Sequence, residues 1–205
     1  MCIEGQNSIT LTDCDLTASN TKTNGNATFL DTIMIYQSMS GDADSGTSAF
    51  TMTGGTLTSK SGHVFHVTNT NAIITLSGVD IVNEDSENVL LSVCDDGWSG
   101  AANIATLKAS AQVLEGTILV GSNSTLTLEL TEGSTFTGAI SGSIVNAKGA
   151  TVSSEVGTVK VILDETSTWT LTADTYVTSF DGDASNVIGN GHTLYVNGVA
   201  LAGIN

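Results

Sequence analysis

Short segments in which apolar and polar residues alternate recur along most of the chain, and each is broken or closed by a tight turn at Gly or Asp. They cover residues 8–17, 50–58, 74–81, 126–137, 159–172 and 193–201. Alternation with a period of two places successive side chains on opposite faces of a strand. Each segment therefore predicts half-buried strands, with Ile, Leu, Val and Phe on the buried face and Thr or Ser on the other.

The segments recur at intervals of roughly 20 to 30 residues, which is typical of repeat proteins whose units bury their apolar faces on one another. Thr, Val and Ile dominate the apolar and semi-polar positions of the sequence, and strong helix formers are sparse, which favours strand over helix. The complete absence of Pro fits a solenoid, because a Pro would remove a ladder hydrogen bond at most positions. We predict an all-β fold built as a parallel β-solenoid.

An Ig-like sandwich is the competing architecture, because short strands at regular spacing would suit it too. The best hairpin candidate is Asn197-Gly198, since Asn-Gly between two apolar runs is a strong signal for a two-residue hairpin turn. Four polar segments, rich in Gly, Ser or acidic residues, are predicted to be surface loops. They are residues 37–47, 83–88, 95–103 and 179–186.

The chain carries 5 basic and 21 acidic residues, a formal net charge of −16 at pH 7, and no Arg. Binding to a phosphate backbone requires several Lys or Arg at each site, so we exclude nucleic acid as a partner. No apolar run reaches the length of about 18 residues needed to cross a bilayer, and we expect no membrane insertion. Cys2, Cys14 and Cys94 are odd in number and lack metal-ligand spacing, so they predict buried free thiols.

Residues 64–81, where Val64-Phe65-His66-Val67 leads into Gly78-Val79-Asp80-Ile81, resemble adhesin-like surface proteins of anaerobic gut bacteria and archaea. Residues 126–140 and 168–179 carry the same likeness, which extends from about Thr51 to the C-terminus. Members of this family are predicted right-handed parallel β-helices of the pectin-lyase-like superfold. The resemblance therefore implies a right-handed winding, secretion, and display on or attachment to a bacterial or archaeal cell surface.

Together the repeats and the resemblance predict one domain over residues 1–205, a single-stranded right-handed parallel β-helix of roughly eight coils. Met1 is followed almost at once by a strand pattern, without a signal peptide. We therefore expect a piece of a longer secreted protein, monomeric when excised.

Three acidic loops, at residues 42–44, 95–97 and 181–183, set carboxylates among small residues, as hard cations require. The candidate ligands for Ca²⁺ are Asp95, Asp96, Asp181 and Asp183. Neither EF-hand spacing nor a nonapeptide calcium repeat is present, so solvated loop acids are the simpler interpretation. No other cofactor is expected.

Trp98 follows Asp95 and Asp96 on a polar loop. An aromatic ring in this setting can stack on a sugar face while the carboxylates bond its hydroxyl groups, so these three residues are the candidate ligand-binding site. The alternative is a Trp98 that folds back to cap the core. Trp169, in phase with Leu171, is expected inside the core.

No catalytic constellation emerges from the sequence. Asn69-Thr70-Asn71 and Asp95-Asp96 only partly match the motifs of polygalacturonase-like hydrolases, and no Arg is present to bind a uronate. His63 and His66, three residues apart on a strand, are expected to point to opposite faces and to serve structural roles. Recurrent Thr-x-Thr pairs are read as outward-facing Thr of a soluble strand, with an ice-binding face as the alternative.

We therefore predict a non-catalytic, extracellular, adhesin-like binding or display module whose partner is a glycan or a host or cell-surface protein. The alternative is a polysaccharide-degrading enzyme, a lyase or a glycoside hydrolase, of the same superfold.

Overall fold

The computed structural model describes all residues from Met1 to Asn205, and almost all of its regular structure is β-strand. The strands are numbered β1 to β25 along the chain. The only helical segment is the 3-10 turn Ala184–Asn186, and no helix is long and apolar enough to span a membrane.

Two long sheets, of six and seven strands, hold 13 of the 25 strands. In spatial order, the first sheet contains β1 (Cys2–Glu4), β4 (Asp31–Tyr36), β7 (His63–Thr68), β10 (Val89–Val93), β13 (Thr117–Val120) and β16 (Ile140–Ser141). The second sheet contains β2 (Ser8–Thr12), β5 (Thr47–Thr53), β8 (Asn71–Ser77), β11 (Asn103–Ser110), β14 (Ser124–Thr131), β19 (Thr158–Leu163) and β22 (Ser179–Asp181).

Shorter sheets complete the fold. One contains β3 (Asp15–Ala18), β6 (Thr56–Ser59) and β9 (Asp80–Asn83), and another contains β12 (Val113–Glu115), β15 (Thr135–Gly138), β20 (Thr168–Leu171) and β23 (Val187–Ile188). The remaining strands are β17 (Ser143–Val145) with β18 (Thr151–Ser154), and β21 (Thr175–Val177) with β24 (Leu194–Val196) and β25 (Val199–Ala200).

Except for the pairs β17–β18 and β24–β25, consecutive strands of the chain lie in different sheets. Strands β1 to β9 lie in the first sheet, the second sheet and the sheet of β3, β6 and β9, in that order three times over. Every pair within the two long sheets is parallel. The predicted all-β fold with parallel strand pairing is confirmed. The competing sandwich of antiparallel sheets is wrong.

Antiparallel pairing is confined to two hairpins. The predicted turn at Asn197-Gly198 joins β24 to β25, and both turn residues have the positive φ, 48° and 79°, that a type I′ turn requires. The second hairpin, β17–β18, was not predicted. The expected surface loop at residues 179–186 is also wrong in part, because its first three residues form β22 and pair with β19.

Apolar side chains from successive strands stand in register inside the molecule. One such row of the second sheet consists of Ile9, Phe50, Ile74, Leu107, Leu128, Val161 and Phe180. These residues belong to or pack against one contiguous cluster of 35 buried residues that runs from Ile3 to Leu194. The predicted core residue Trp169 lies in it, fully buried, and its indole N–H donates to the Gly138 carbonyl at 3.0 Å.

The outer face of the second sheet carries the Thr-x-Thr pairs of β2, β5 and β14. Thr10, Thr51 and Thr75 stand in register on β2, β5 and β8, but the same row continues with Lys108 and Glu129. These two side chains lie 3.5 Å apart as a partly exposed ion pair. The hydroxyl groups therefore do not form a continuous Thr grid.

The first sheet differs because its middle strands β4, β7 and β10 are buried on both faces. Two small apolar clusters cover its outer face. One joins Ala27, Met34 and Tyr36 with Trp98, and the other joins Phe29, Cys94 and Ile144 with Leu119 and Val152. The covering layer therefore comes from the segment before β4, the loop after β10 and the β17–β18 hairpin.

Candidate binding groove

The residues predicted to bind ligand do not share one surface. Asp95 is exposed, and its Oδ1 accepts a hydrogen bond of 2.6 Å from the Asn103 side chain. Asp96 is only 3% exposed, and its Oδ1 accepts from the backbone N–H and the hydroxyl of Thr28 at 2.7 and 2.6 Å. Trp98 is half-buried and packs on Tyr36, with 4.9 Å between ring centroids. The loop therefore presents Asp95 to solvent but turns Asp96 inward.

The remaining predicted calcium ligands lie elsewhere. Asp181 is the last residue of β22. The loop of Asp95 and Asp96 leads into β11, and β22 lies three strand spacings from β11 in the second sheet, which corresponds to about 14 Å. Asp183 is exposed and accepts from the backbone N–H and hydroxyl of Ser185, and these bonds hold the pKa of its carboxyl below the ordinary value. No group of three or more His, Cys, Asp or Glu residues is placed to hold a metal ion.

A chain of buried polar side chains crosses the outer face of the first sheet, and we call it the buried polar chain: Asp96, His66, Ser92 and His63. His66 Nε2 lies 3.2 Å from Asp96 Oδ2, with both side chains fully buried. The Ser92 hydroxyl lies 2.6 Å from His66 Nδ1 and 2.7 Å from His63 Nδ1. The prediction that the two histidines point to opposite faces is therefore wrong.

An irregularity in the strands explains how residues three apart come together. Val64 and Phe65, consecutive on β7, both contact the core, as do Leu90 and Leu91 on β10. The register of β10 against β13 slips by one residue between Val89 and Leu91. On β7 itself, the two consecutive core contacts of Val64 and Phe65 break the period-two alternation between His63 and His66, so both histidines lie on the same side.

Burial sets the protonation of this region. Burial, reinforced by the neighbouring His66, lowers the pKa of His63 to about 3. Burial raises the pKa of the Asp31 carboxyl, which stands beside His63 in the first sheet. His63 is therefore a neutral imidazole over the whole ordinary pH range.

A groove runs beside the β17–β18 hairpin, and we call it the hairpin groove. It consists of three adjoining cavities of about 220, 510 and 470 Å³. The first two share His63, Glu87 and Val145, and the last two share Ala139, Ser141, Ser143 and Ala173. The shared lining residues place the three cavities next to one another along the hairpin.

One end of the hairpin groove carries an aromatic pair. Tyr176 lines the third cavity together with Asp174 and Glu155, and its side chain is 49% exposed. Its ring stacks on Tyr195 of the neighbouring parallel strand, with centroids 4.6 Å apart and planes inclined by 7°. An exposed ring held rigidly beside carboxylates and Ser hydroxyls suits an amphipathic ligand, since the ring offers an apolar face.

The buried polar chain reaches the hairpin groove at His63, which lines its first two cavities but is only 5% exposed. Ser92, by contrast, is completely buried. Asp96, His66 and Ser92 therefore cannot act as a catalytic triad, because a substrate cannot reach the Ser92 hydroxyl. Only His63 connects these residues to the surface.

Sequence reasoning missed this groove because its wall is the unpredicted β17–β18 hairpin and its aromatic residues are 19 positions apart in the chain. A signal was nevertheless present. Tyr176 and Tyr195 occupy the central positions of two short strands, β21 and β24, and the parallel pairing of these strands places such residues side by side.

The chain was compared with protein-family models, with curated proteins and with solved structures. None of the three comparisons finds a match.

Proposed function

We propose that the chain is an extracellular, adhesin-like binding module that acts without catalysis, and that its strands wind as a right-handed parallel β-helix. Two features support the winding. The chain passes through three sheets in a fixed order from β1 to β9, and crossover connections between parallel strands are right-handed in about 98% of cases. A β-helix gives long rigid faces, which suit display and adhesion.

The observation that carries the binding function is the stacked pair Tyr176 and Tyr195 at the end of the hairpin groove. Sugars present an apolar C–H face to an aromatic ring and hydroxyl groups to carboxylates and Ser side chains. The third cavity offers all of these through Tyr176, Asp174 and Ser141. We propose that the ligand is a glycan of a host or microbial surface, and that the parent protein is secreted or displayed at the cell surface.

A second surface remains a candidate for the same function. Asp95 and the half-buried Trp98 lie on an exposed loop far along the chain from Tyr176. The prediction of a calcium site at Asp95, Asp96, Asp181 and Asp183 likewise stays a prediction. A host protein is the alternative partner on either surface.

The alternative function is a polysaccharide-degrading enzyme of the same superfold. Two carboxylates, Glu155 and Asp174, line one cavity, and paired carboxylates can carry out glycoside hydrolysis. The inaccessible Ser92 argues against a serine nucleophile as the basis of any such activity.

A glycan array probed with the full chain, with and without Ca²⁺ or EDTA, tests the proposal. Reducing-sugar release is measured on every glycan that binds. We expect binding without release, and loss of binding in Tyr176→Ala but not in Trp98→Phe. Binding that follows Trp98 instead would move the site to the loop, and released sugar would establish the enzyme. An array with no binding at all would contradict the glycan proposal.

A further inference from the structure

Another cavity lies at the corner where the chain passes from the first sheet to the second. Gln37 follows β4, Asn69 and Thr70 join β7 to β8, and Ile104 lies in β11, and all four residues line it. The loops before β5 and before β11 form its two sides, and we call it the two-loop cavity. Its volume is about 330 Å³, at the lower end of the range of about 300–1,000 Å³ for small-molecule sites.

One buried acceptor at this cavity has no hydrogen-bonding partner. Gln37 lines the two-loop cavity and no other, it is only 8% exposed, and its Oε1 is buried without a hydrogen bond. Its Nε2 donates to the carbonyls of Ser38 and Ala43 at 3.2 and 3.3 Å. An amide turned over would set Oε1 against both carbonyl oxygens, so these contacts fix its orientation. A buried acceptor without a partner is costly, and a donor from a ligand would satisfy it.

Asn69 holds the floor of the two-loop cavity in place. Its Nδ2 donates to the Gln37 carbonyl, its Oδ1 accepts from the Ala101 N–H, and its own N–H donates to Asn103 Oδ1, each at 2.7 Å. These three bonds tie the turn after β4 to the loop before β11. They fix both Gln37 and one side of the cavity, and a site formed before its ligand arrives loses less freedom on binding.

None of the ten residues that line the two-loop cavity is charged, although the chain carries a net charge of −16. An ionised ligand group would lose its water here without meeting an opposite charge. The polar lining includes Thr47, Thr70 and Asn71, whose side chains both donate and accept hydrogen bonds. Ala102 and Ile104 add apolar surface. The ligand that suits this lining is neutral, carries several hydroxyl groups and has an apolar C–H face.

We propose that the two-loop cavity binds one neutral sugar unit, and that Gln37 Oε1 accepts a hydrogen bond from a hydroxyl group of that sugar. The ligand class rests on the proposed function, but the place does not, because no residue of this cavity lines the hairpin groove. A volume of about 330 Å³ suits a single ring rather than a row of rings. The cavity therefore takes a terminal or branching unit of a glycan.

Binding is tested by ¹⁵N–¹H NMR of the full chain, titrated with the methyl glycosides of glucose, galactose and mannose. We expect at least one of them to shift the side-chain amide signals of Gln37 and Asn71 in a saturable way. Glucuronate and protonated glucosamine, which each carry a charge, should bind at least about tenfold more weakly. N-Methylacetamide, a neutral amide without hydroxyl groups, should cause no saturable shift.

Three results of this titration would overturn the proposal. If none of the neutral glycosides shifts these signals, the cavity holds water only. If a charged sugar binds as tightly as the neutral ones, the uncharged lining does not select the ligand. If N-methylacetamide binds more tightly than every glycoside, the cavity recognises a peptide group instead of a sugar.

Ala102→Leu and Ala150→Leu form a matched pair of variants. Both alanines are exposed, but Ala102 lines the two-loop cavity, whereas Ala150 lies in the turn of the β17–β18 hairpin and lines no cavity. We expect the first to weaken glycoside binding at least about tenfold, because the added side chain fills the cavity, and the second to leave it unchanged.

Gln37→Met removes Oε1 from a side chain of similar length, and it should weaken glycoside binding roughly three- to tenfold, as for the loss of one hydrogen bond. If this variant does not fold, Ala102→Leu still decides. Unchanged affinity in Ala102→Leu would refute the site.

The glycan array distinguishes failure of this site from failure of the proposed function. Array binding that is lost in Tyr176→Ala and kept in Ala102→Leu, with no shift of Gln37 by any glycoside, would leave the proposed function standing and refute the two-loop cavity. Shifts of Gln37 without any array binding would support the cavity and contradict glycan binding in the hairpin groove. If neither is observed, both proposals fail.

Discussion

His66 Nε2 and Asp96 Oδ2 lie 3.2 Å apart inside the layer that covers the first sheet, and neither side chain is exposed to solvent. Asp96 also holds the segment before β4 through two hydrogen bonds to Thr28, 68 positions earlier in the chain. One carboxylate therefore ties together the sheet, its covering segment and the buried polar chain.

Replacing Asp96 by Ala is expected to lower the free energy of unfolding by about 2–4 kcal/mol, because it leaves the Thr28 N–H and His66 without partners. Urea denaturation followed by circular dichroism measures the loss. Asp181→Ala is the control, since this carboxylate is exposed, and its effect should stay within about 0.5 kcal/mol. Similar losses in both variants would mean that Asp96 has no special structural role.

Acid should destabilise the protein partly through His63. Its folded-state pKa of about 3 lies below the ordinary value of 6.5, so below about pH 6.5 the unfolded chain binds a proton that the folded protein refuses. Stability therefore falls as the pH is lowered from about 6.5 toward about 3, by at most about 1.4 kcal/mol per pH unit from this residue.

The corresponding measurement compares unfolding free energies at pH 7, 5.5 and 4 for the wild-type protein and His63→Gln. We expect a flatter dependence in the variant. The raised pKa of Asp31 acts in the opposite sense, because protonation of that carboxyl favours the folded state, but it contributes to both proteins. Parallel curves would show that His63 is not the group that titrates.

The parallel strands could be predicted because their signal is local. Period-two alternation places Trp169 and Leu171 on one face, and both are fully buried. Repetition of the same short unit then predicts stacking of equivalent positions, as the row containing Ile74 and Leu107 confirms. These inferences need no knowledge of contacts between distant segments.

The candidate site could not be predicted in the same way, because it depends on departures from the repeat. Val64 and Phe65 both face the core, and this break in the alternation of β7 places His63 and His66 on the same side. The inward turn of Asp96 depends on Thr28, a partner that no sequence pattern identifies. The hairpin between Ser143 and Ser154 lacks an Asn-Gly signal, so its role as the wall of the groove was not foreseen.

Asn69 should be one of the most sensitive turn positions. Its backbone has a φ of 55°, and its side chain donates to the Gln37 carbonyl and accepts from the Ala101 N–H, both at 2.7 Å. Asn69→Ala should cost about 2–4 kcal/mol through the lost bonds and the strained φ.

Asn69→Gly separates these two causes, because Gly adopts a positive φ without strain but restores neither hydrogen bond. Chemical denaturation should place its loss about 1 kcal/mol below that of Asn69→Ala. Equal losses would assign the whole effect to the hydrogen bonds. A negligible loss in both variants would contradict the role given to Asn69.

The three thiols should react at very different rates, since their surroundings differ although none is bridged. Cys2 is exposed, Cys14 is half-buried and Cys94 is fully buried. Burial raises the pKa of Cys94 far above its usual range, and the thiolate is the reactive form. A chromogenic disulfide reagent at pH 8 should therefore label no Cys94 in the folded protein and all three thiols in denaturant.

In the control variant Cys94→Ala, the folded protein should label to the same extent as the wild type, while the denatured protein should label one thiol fewer. If Cys94 reacted as fast as Cys2 in the folded protein, the apolar layer over the first sheet would have to open readily, and the groove wall that rests on it would not be rigid.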